Sequence, residues 1–168
     1  MSINGWPKQI SWNDFREVNS PPGGEDGQAY IHSEFNFQYS STQKERTGWR
    51  LEGLVVDVFV DNEQSWIVKG KQHPELLNHE QGHYDITGLV GGRELYQSLT
   101  KLRAKSPKDF GEQKEKIVNR IKKKVTRLQK KYDKDTKPDG VAIDPKKQEE
   151  WDKRLQSAMA NGKSLPDL

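Results

Sequence analysis

Leu76-Leu77-Asn78-His79-Glu80-Gln81-Gly82-His83-Tyr84-Asp85-Ile86 is the stretch from which the rest of this 168-residue chain is read. Pro74 suits the first turn of a helix. Leu76, Leu77, Ile86, Leu89 and Val90 then supply an apolar stripe. On such a helix His79 and His83 are four apart, so both imidazoles leave one face about one turn apart. Two neutral ring nitrogens at that spacing can reach a single Zn²⁺ at roughly 2.0–2.1 Å each. Glu80 is placed to take a proton from a zinc-bound water, whose pKa the ion lowers towards neutral while it polarises a carbonyl. Gly82 leaves the helix bare where a strand or the metal must come close. The chain has only four histidines, so a chance His-Glu-x-x-His is expected in under roughly one such sequence in a hundred. The bland reading is a partly exposed helix with two unrelated histidines.

Towards the C-terminus the helical pattern continues. Gly91-Gly92 interrupts it before Leu95, Leu99 and Leu102 resume the 3.6 period, giving one long helix with a soft point or two helices with a bend. Ser106-Pro107 opens a further helix, with Phe110, Ile117, Val118, Ile121, Val125, Leu128 and Tyr132 as a narrow seam. Asp144-Pro145 starts a last helix, carrying Trp151, Leu155 and Met159 and closing near Gly162. Towards the N-terminus, residues 29–40 alternate as a half-buried strand, with Ile31, Phe35, Phe37 and Tyr39 on one face. Leu54–Val60 is a more buried strand, and Ser65–Val68 a third that could pair with it. Strands first and helices after predict an α+β fold. It is a small antiparallel sheet packed on the metal-binding helix, followed by a long basic helix and a short C-terminal one. Residues 1–168 are read as one domain, with 1–72 β-rich and 73–168 helical.

Composition narrows the chemistry further. There is no Cys, so disulfides and thiolate ligands are excluded and any metal must take N and O donors. No apolar run reaches membrane-spanning length and no export signal is visible, so the chain reads as soluble, with its compartment undetermined. Between Lys101 and Lys131 stand 13 Lys or Arg against three acids, although the whole chain carries only +3. A non-catalytic module binding nucleic acid or an acidic partner through the basic helix 110–132 is therefore the alternative reading. Few aromatics interleave these cations, which argues for a solvated face and against nucleic acid.

The motif, with Ser11-Trp12 and Phe15, Ser65-Trp66, Tyr132-Asp133 with Thr136, and Gln148 with Trp151, resembles a bacterial family first filed as a domain of unknown function. That family is now described as predicted secreted zinc-dependent proteases. The likeness spans roughly residues 10–155. It implies a zincin-like fold and a zinc metallopeptidase, secreted or periplasmic, acting on a peptide or protein. A catalytic zinc needs a third protein ligand. Where the family pattern has His-Gly after the Thr, this chain has Pro138-Asp139-Gly140, which makes Asp139 the first candidate. Asp133 is the second. Glu94 is the third, but in a straight helix it stands roughly 16 Å beyond His83 and needs a bend at Gly91-Gly92. Asp85 is read as a helix contact or a partner to a ligand. Substrate-binding residues are not identified, beyond an edge strand for the peptide in the 54–60 to 66–68 region.

Overall fold

The computed structural model describes residues 2–24 and 26–166. The architecture is α+β: among the described residues every strand precedes Lys69 and every α-helix follows His73. The strands are β1 (Ile3–Asn4), β2 (Arg16–Val18), β3 (Ala29–Tyr30), β4 (Ser33–Gln38), β5 (Ser41–Glu45), β6 (Gly48–Glu52), β7 (Val55–Val60) and β8 (Trp66–Val68). They form three small sheets in the orders β1-β7-β4, β2-β8-β3 and β5-β6. β1–β7 and β2–β8 are parallel pairs, so the sheets are not uniformly antiparallel.

Two strand expectations are corrected. The single strand over 29–40 is split, because the Ile31 N–H donates to Glu80 Oε2 (3.1 Å) and the His32 N–H to Ser65 Oγ (2.9 Å). Side-chain acceptors thus draw these two residues away from a continuous ladder. Ser65–Val68 does not pair with Val55–Val60: β8 lies between β2 and β3, and β7 between β1 and β4. Both are central strands, so neither offers the free edge expected of the 54–60 to 66–68 region. β5 and β6 form a hairpin that the sequence reading left out.

The helices are α1 (Pro74–Ile86), a π-helical stretch (Thr87–Glu94), α2 (Leu95–Lys101), α3 (Pro107–Thr136) and α4 (Pro145–Asn161). Their starts follow the sequence signals. His73 Nδ1 accepts from Leu76 N, Ser106 Oγ from Asp109 N, and Asp144 Oδ1 from Lys146 N and Lys147 N, each ahead of a proline. Gly162 ends α4 at φ 62°, the left-handed cap glycine favours. Residues 74–101 form one continuous helical rod, and Gly91-Gly92 does not bend it back.

The glycines instead flatten one side of that rod. A Cβ on Gly88 would stand 2.3 Å from the Trp6 ring, and one on Gly91 2.3 Å from Phe35. The first sheet and the N-terminal segment therefore lie directly on the π stretch, where Leu89 and Val90 are fully buried with Val56 and Val58. Asp85 belongs to the same packing: it accepts from Trp6 Nε1 (3.0 Å) and Gln81 Nε2 (3.1 Å). Among the described residues, no helix is long and apolar enough to cross a membrane.

Candidate metal centre

α1 presents His79 and His83 one turn apart, with ring centroids 4.9 Å from each other. α3 crosses this face and brings Gln129, Tyr132, Asp133 and Thr136 to it, positions that share a side of a helix through i, i+3 and i+4 spacing. Their approach requires Gly82, because a Cβ there would stand 2.2 Å from the Tyr132 hydroxyl. The Tyr132 ring stacks on His79 at 4.8 Å and 13° and meets His83 edge-on at 4.8 Å. Its hydroxyl donates to His79 O (3.0 Å). Tyr132 is thereby fully buried in packing, and desolvation pushes its phenol well above the usual range.

The Nε2 atoms of both histidines converge on one carboxylate oxygen. Asp133 Oδ1 is 2.9 Å from His83 Nε2 and 3.3 Å from His79 Nε2. Among the described residues, His79, His83 and Asp133 are the group whose donor atoms lie close enough, within 4.8 Å, to hold one metal ion. Two features of the site fit such an ion. His79 Nε2 is buried and makes no hydrogen bond, a costly state for a polar atom unless something else takes its lone pair. The separations also approach the about 3.3 Å between ligand atoms that tetrahedral coordination at roughly 2.0–2.1 Å implies.

Two glutamines fix which nitrogen faces the centre. Gln148, on α4, directs its amide N–H to Asp152 Oδ1 (2.8 Å) and to the Tyr132 hydroxyl (2.7 Å). An ionised carboxylate can only accept, so Gln148 Oε1 is the atom turned to His79 Nδ1 at 3.2 Å. Gln129 likewise donates to His83 O (2.9 Å) and Thr87 Oγ1 (3.0 Å) and turns Oε1 to His83 Nδ1. With each Nδ1 donating to its glutamine, the Nε2 atoms are the ones directed at the group, where they would supply lone pairs to a metal in place of the hydrogen bond from His83 Nε2 to Asp133 (2.9 Å). Burial pulls the His79 pKa down, only partly opposed by Asp133. For His83 burial acts the same way, but the hydrogen bond and charge of Asp133, then Glu80 and Gln129, outweigh it and the net shift is upward. Desolvation would raise Asp133; the two histidines more than reverse it and hold the carboxylate far below its usual range.

Glu80 is almost fully buried beside this group, its Oε2 held by the Ile31 N–H. It lines a cleft of about 290 Å³ together with His83, Asp133, Ala29, Tyr30 and Trp66. The structure does not bring Asp139 to the histidines, which corrects the first choice of third ligand. Its exposed carboxylate turns back on its own loop and accepts from Val141 N and Ala142 N, both at 2.9 Å. Glu94 is also remote, its carboxylate paired with Lys124 at 2.8 Å. His32 bonds to Glu34, and His73 caps α1. Gln129 was missed by sequence reasoning. Its signal was its place three and four residues before Tyr132 and Asp133 on the same helix.

Fold and site together define an α+β domain with a two-histidine, one-aspartate group, carried on a helix pair, that could hold a metal ion. The chain belongs to the family described as "Bacterial protein of unknown function (DUF922)", whose sequence profile matches residues 11–140. The matched span includes His79, Glu80, His83, Gln129 and Asp133, and stops before Gln148 and Trp151. No curated protein and no solved structure matches the chain.

Proposed function

We propose that the domain is a zinc-dependent metallohydrolase acting on peptides, with His79, His83 and Asp133 as the metal ligands and Glu80 as the general base. The observation that carries this reading is the convergence of two tautomer-fixed Nε2 atoms and one carboxylate oxygen beside a buried glutamate, at the wall of an open cleft. A three-ligand set of N and O donors suits zinc with a fourth position open to the cleft. A zinc ion held there would polarise a peptide carbonyl and ease deprotonation of a nearby water.

The chain's own part is positioning and proton transfer. Gln129 and Gln148 hold both imidazoles aimed, each engaging Nδ1 so that Nε2 faces the group. Glu80 has one oxygen held by the Ile31 N–H, so its other oxygen can take a proton from a water in the cleft and pass it to the departing amine. β3 is one of the two edge strands of its sheet, and its Ala29 and Tyr30 line the cleft. An extended substrate would therefore add to β3 and place its carbonyl near Glu80. Glu80→Gln should retain the metal and lose hydrolysis of a mixed peptide library followed by mass spectrometry. A Glu80→Gln protein that cleaves as fast as the wild type would remove Glu80 from this role.

A further inference from the structure

The same cleft carries two lysines that the hydrolytic roles do not use. Lys134 follows Asp133 near the end of α3, and Lys137 caps that helix one turn later, so both stand on the side facing the cleft. Several other lysines are committed to acids: Lys124 to Glu94, Lys131 to Asp135, Lys147 to Glu150 and Lys153 to Glu149. Among the described residues, no hydrogen bond or ion pair engages the ammonium group of Lys134 or Lys137. Lys137 is close enough for its charge to be felt at His79. The other ionisable groups on the cleft wall are His83, Tyr30 and the carboxylates of Asp26, Glu80 and Asp133. Without a metal three carboxylates outweigh two ammonium groups, and a divalent ion on the histidine–aspartate group reverses the sign.

We propose that Lys134 and Lys137 form an anion subsite that selects peptides carrying a carboxylate next to the scissile bond. This rests on the reading that the cleft takes a peptide beside a bound metal. The carboxylate is that of an acidic side chain or of the peptide's own C-terminus. The cleft, about 290 Å³ and open to solvent, has room for one or two residues. Ammonium groups on flexible four-carbon stems can follow a carboxylate at either position.

The test uses zinc-loaded, full-length Glu80→Gln protein, so that binding is read without turnover. Three tripeptides are titrated calorimetrically: Ala-Glu-Ala with both ends blocked, Ala-Ala-Ala with a free C-terminal carboxylate, and blocked Ala-Gln-Ala. Two partly exposed charge pairs lead to about threefold to tenfold tighter binding of a carboxylate peptide than of the glutamine peptide. Which carboxylate peptide gains identifies the source. The preference should vanish in Lys134→Gln/Lys137→Gln, persist in Lys134→Arg/Lys137→Arg, and fall with added salt. Equal binding of all three peptides, no binding of any, or a preference that survives the glutamine pair would overturn the proposal. Zinc content and hydrolysis by the wild type are measured alongside. Lysine-dependent carboxylate binding without hydrolysis would keep the subsite and reject the peptidase, whereas hydrolysis without carboxylate preference would do the reverse.

Discussion

Replacing Gly82 by alanine would place a methyl group 2.2 Å from the Tyr132 hydroxyl and 2.5 Å from the ring carbon that bears it. Neither neighbour can yield freely, because the ring is stacked on His79 and wedged against Trp151 at 5.3 Å, and the hydroxyl bonds His79 O and Gln148. Overfilling a packed site costs about 1–3 kcal/mol. Losing the hydroxyl's bond to His79 O adds about 1 kcal/mol. Alanine in place of glycine within a helix returns about 1 kcal/mol. The net expectation is destabilisation of about 1–3 kcal/mol, or a fall in Tm of about 2–10 °C for a chain of this size. Displacing Tyr132 also moves the ring against which His79 is set, so zinc affinity should drop about 10–100-fold, as for other groups that orient a ligand. Urea unfolding of metal-free Gly82→Ala gives the first quantity, and competition with a zinc chelator the second. A variant as stable as the wild type, with undiminished zinc affinity, would refute the claim that Gly82 exists to let α3 reach the histidines.

Asp133→Ala should weaken zinc binding by more than about 100-fold in the same chelator competition, because it removes a ligand and not a group behind one. Asp139→Ala and Glu94→Ala should stay within a few-fold of wild type, since their carboxylates cap a loop and pair with a lysine. Gln148→Ala, which removes the acceptor for His79 Nδ1, should cost about 10–100-fold in zinc affinity; an affinity equal to wild type would show that Gln148 does not orient His79.

Local signals carried much of the fold. Proline placed the start of α1, and proline after a capping side chain the starts of α3 and α4; the seam from Phe110 to Tyr132 is buried at Phe110, Ile121, Leu128 and Tyr132. These features depend on neighbours in sequence, where periodicity and capping act. Sheet order was not legible, since β8 is chosen by β2 and β3 from distant parts of the chain. The split at Ile31-His32 depends on acceptors from Glu80 and Ser65, which no local pattern reveals. Gly91-Gly92 read as a soft point or a bend because glycine lowers helix propensity, whereas the structure uses the missing side chains to seat Phe35 and Val58. The site divides in the same way. His79, Glu80 and His83 share one helix and were readable from spacing. The third candidate donor, a carboxylate, comes from a helix some 50 residues on, and only the crossing of α1 and α3 sets Asp133 ahead of Asp139.

The claim on which everything else rests is that His79, His83 and Asp133 hold one metal ion. Zinc bound per chain, counted by mass spectrometry after equilibration with the ion and removal of excess, tests it most directly. About one zinc per wild-type chain is expected, with loss of that equivalent in His79→Ala and in His83→Ala and severe depletion in Asp133→Ala. Equally little zinc in the wild type and all three variants, or a full equivalent retained in any histidine variant, would contradict it.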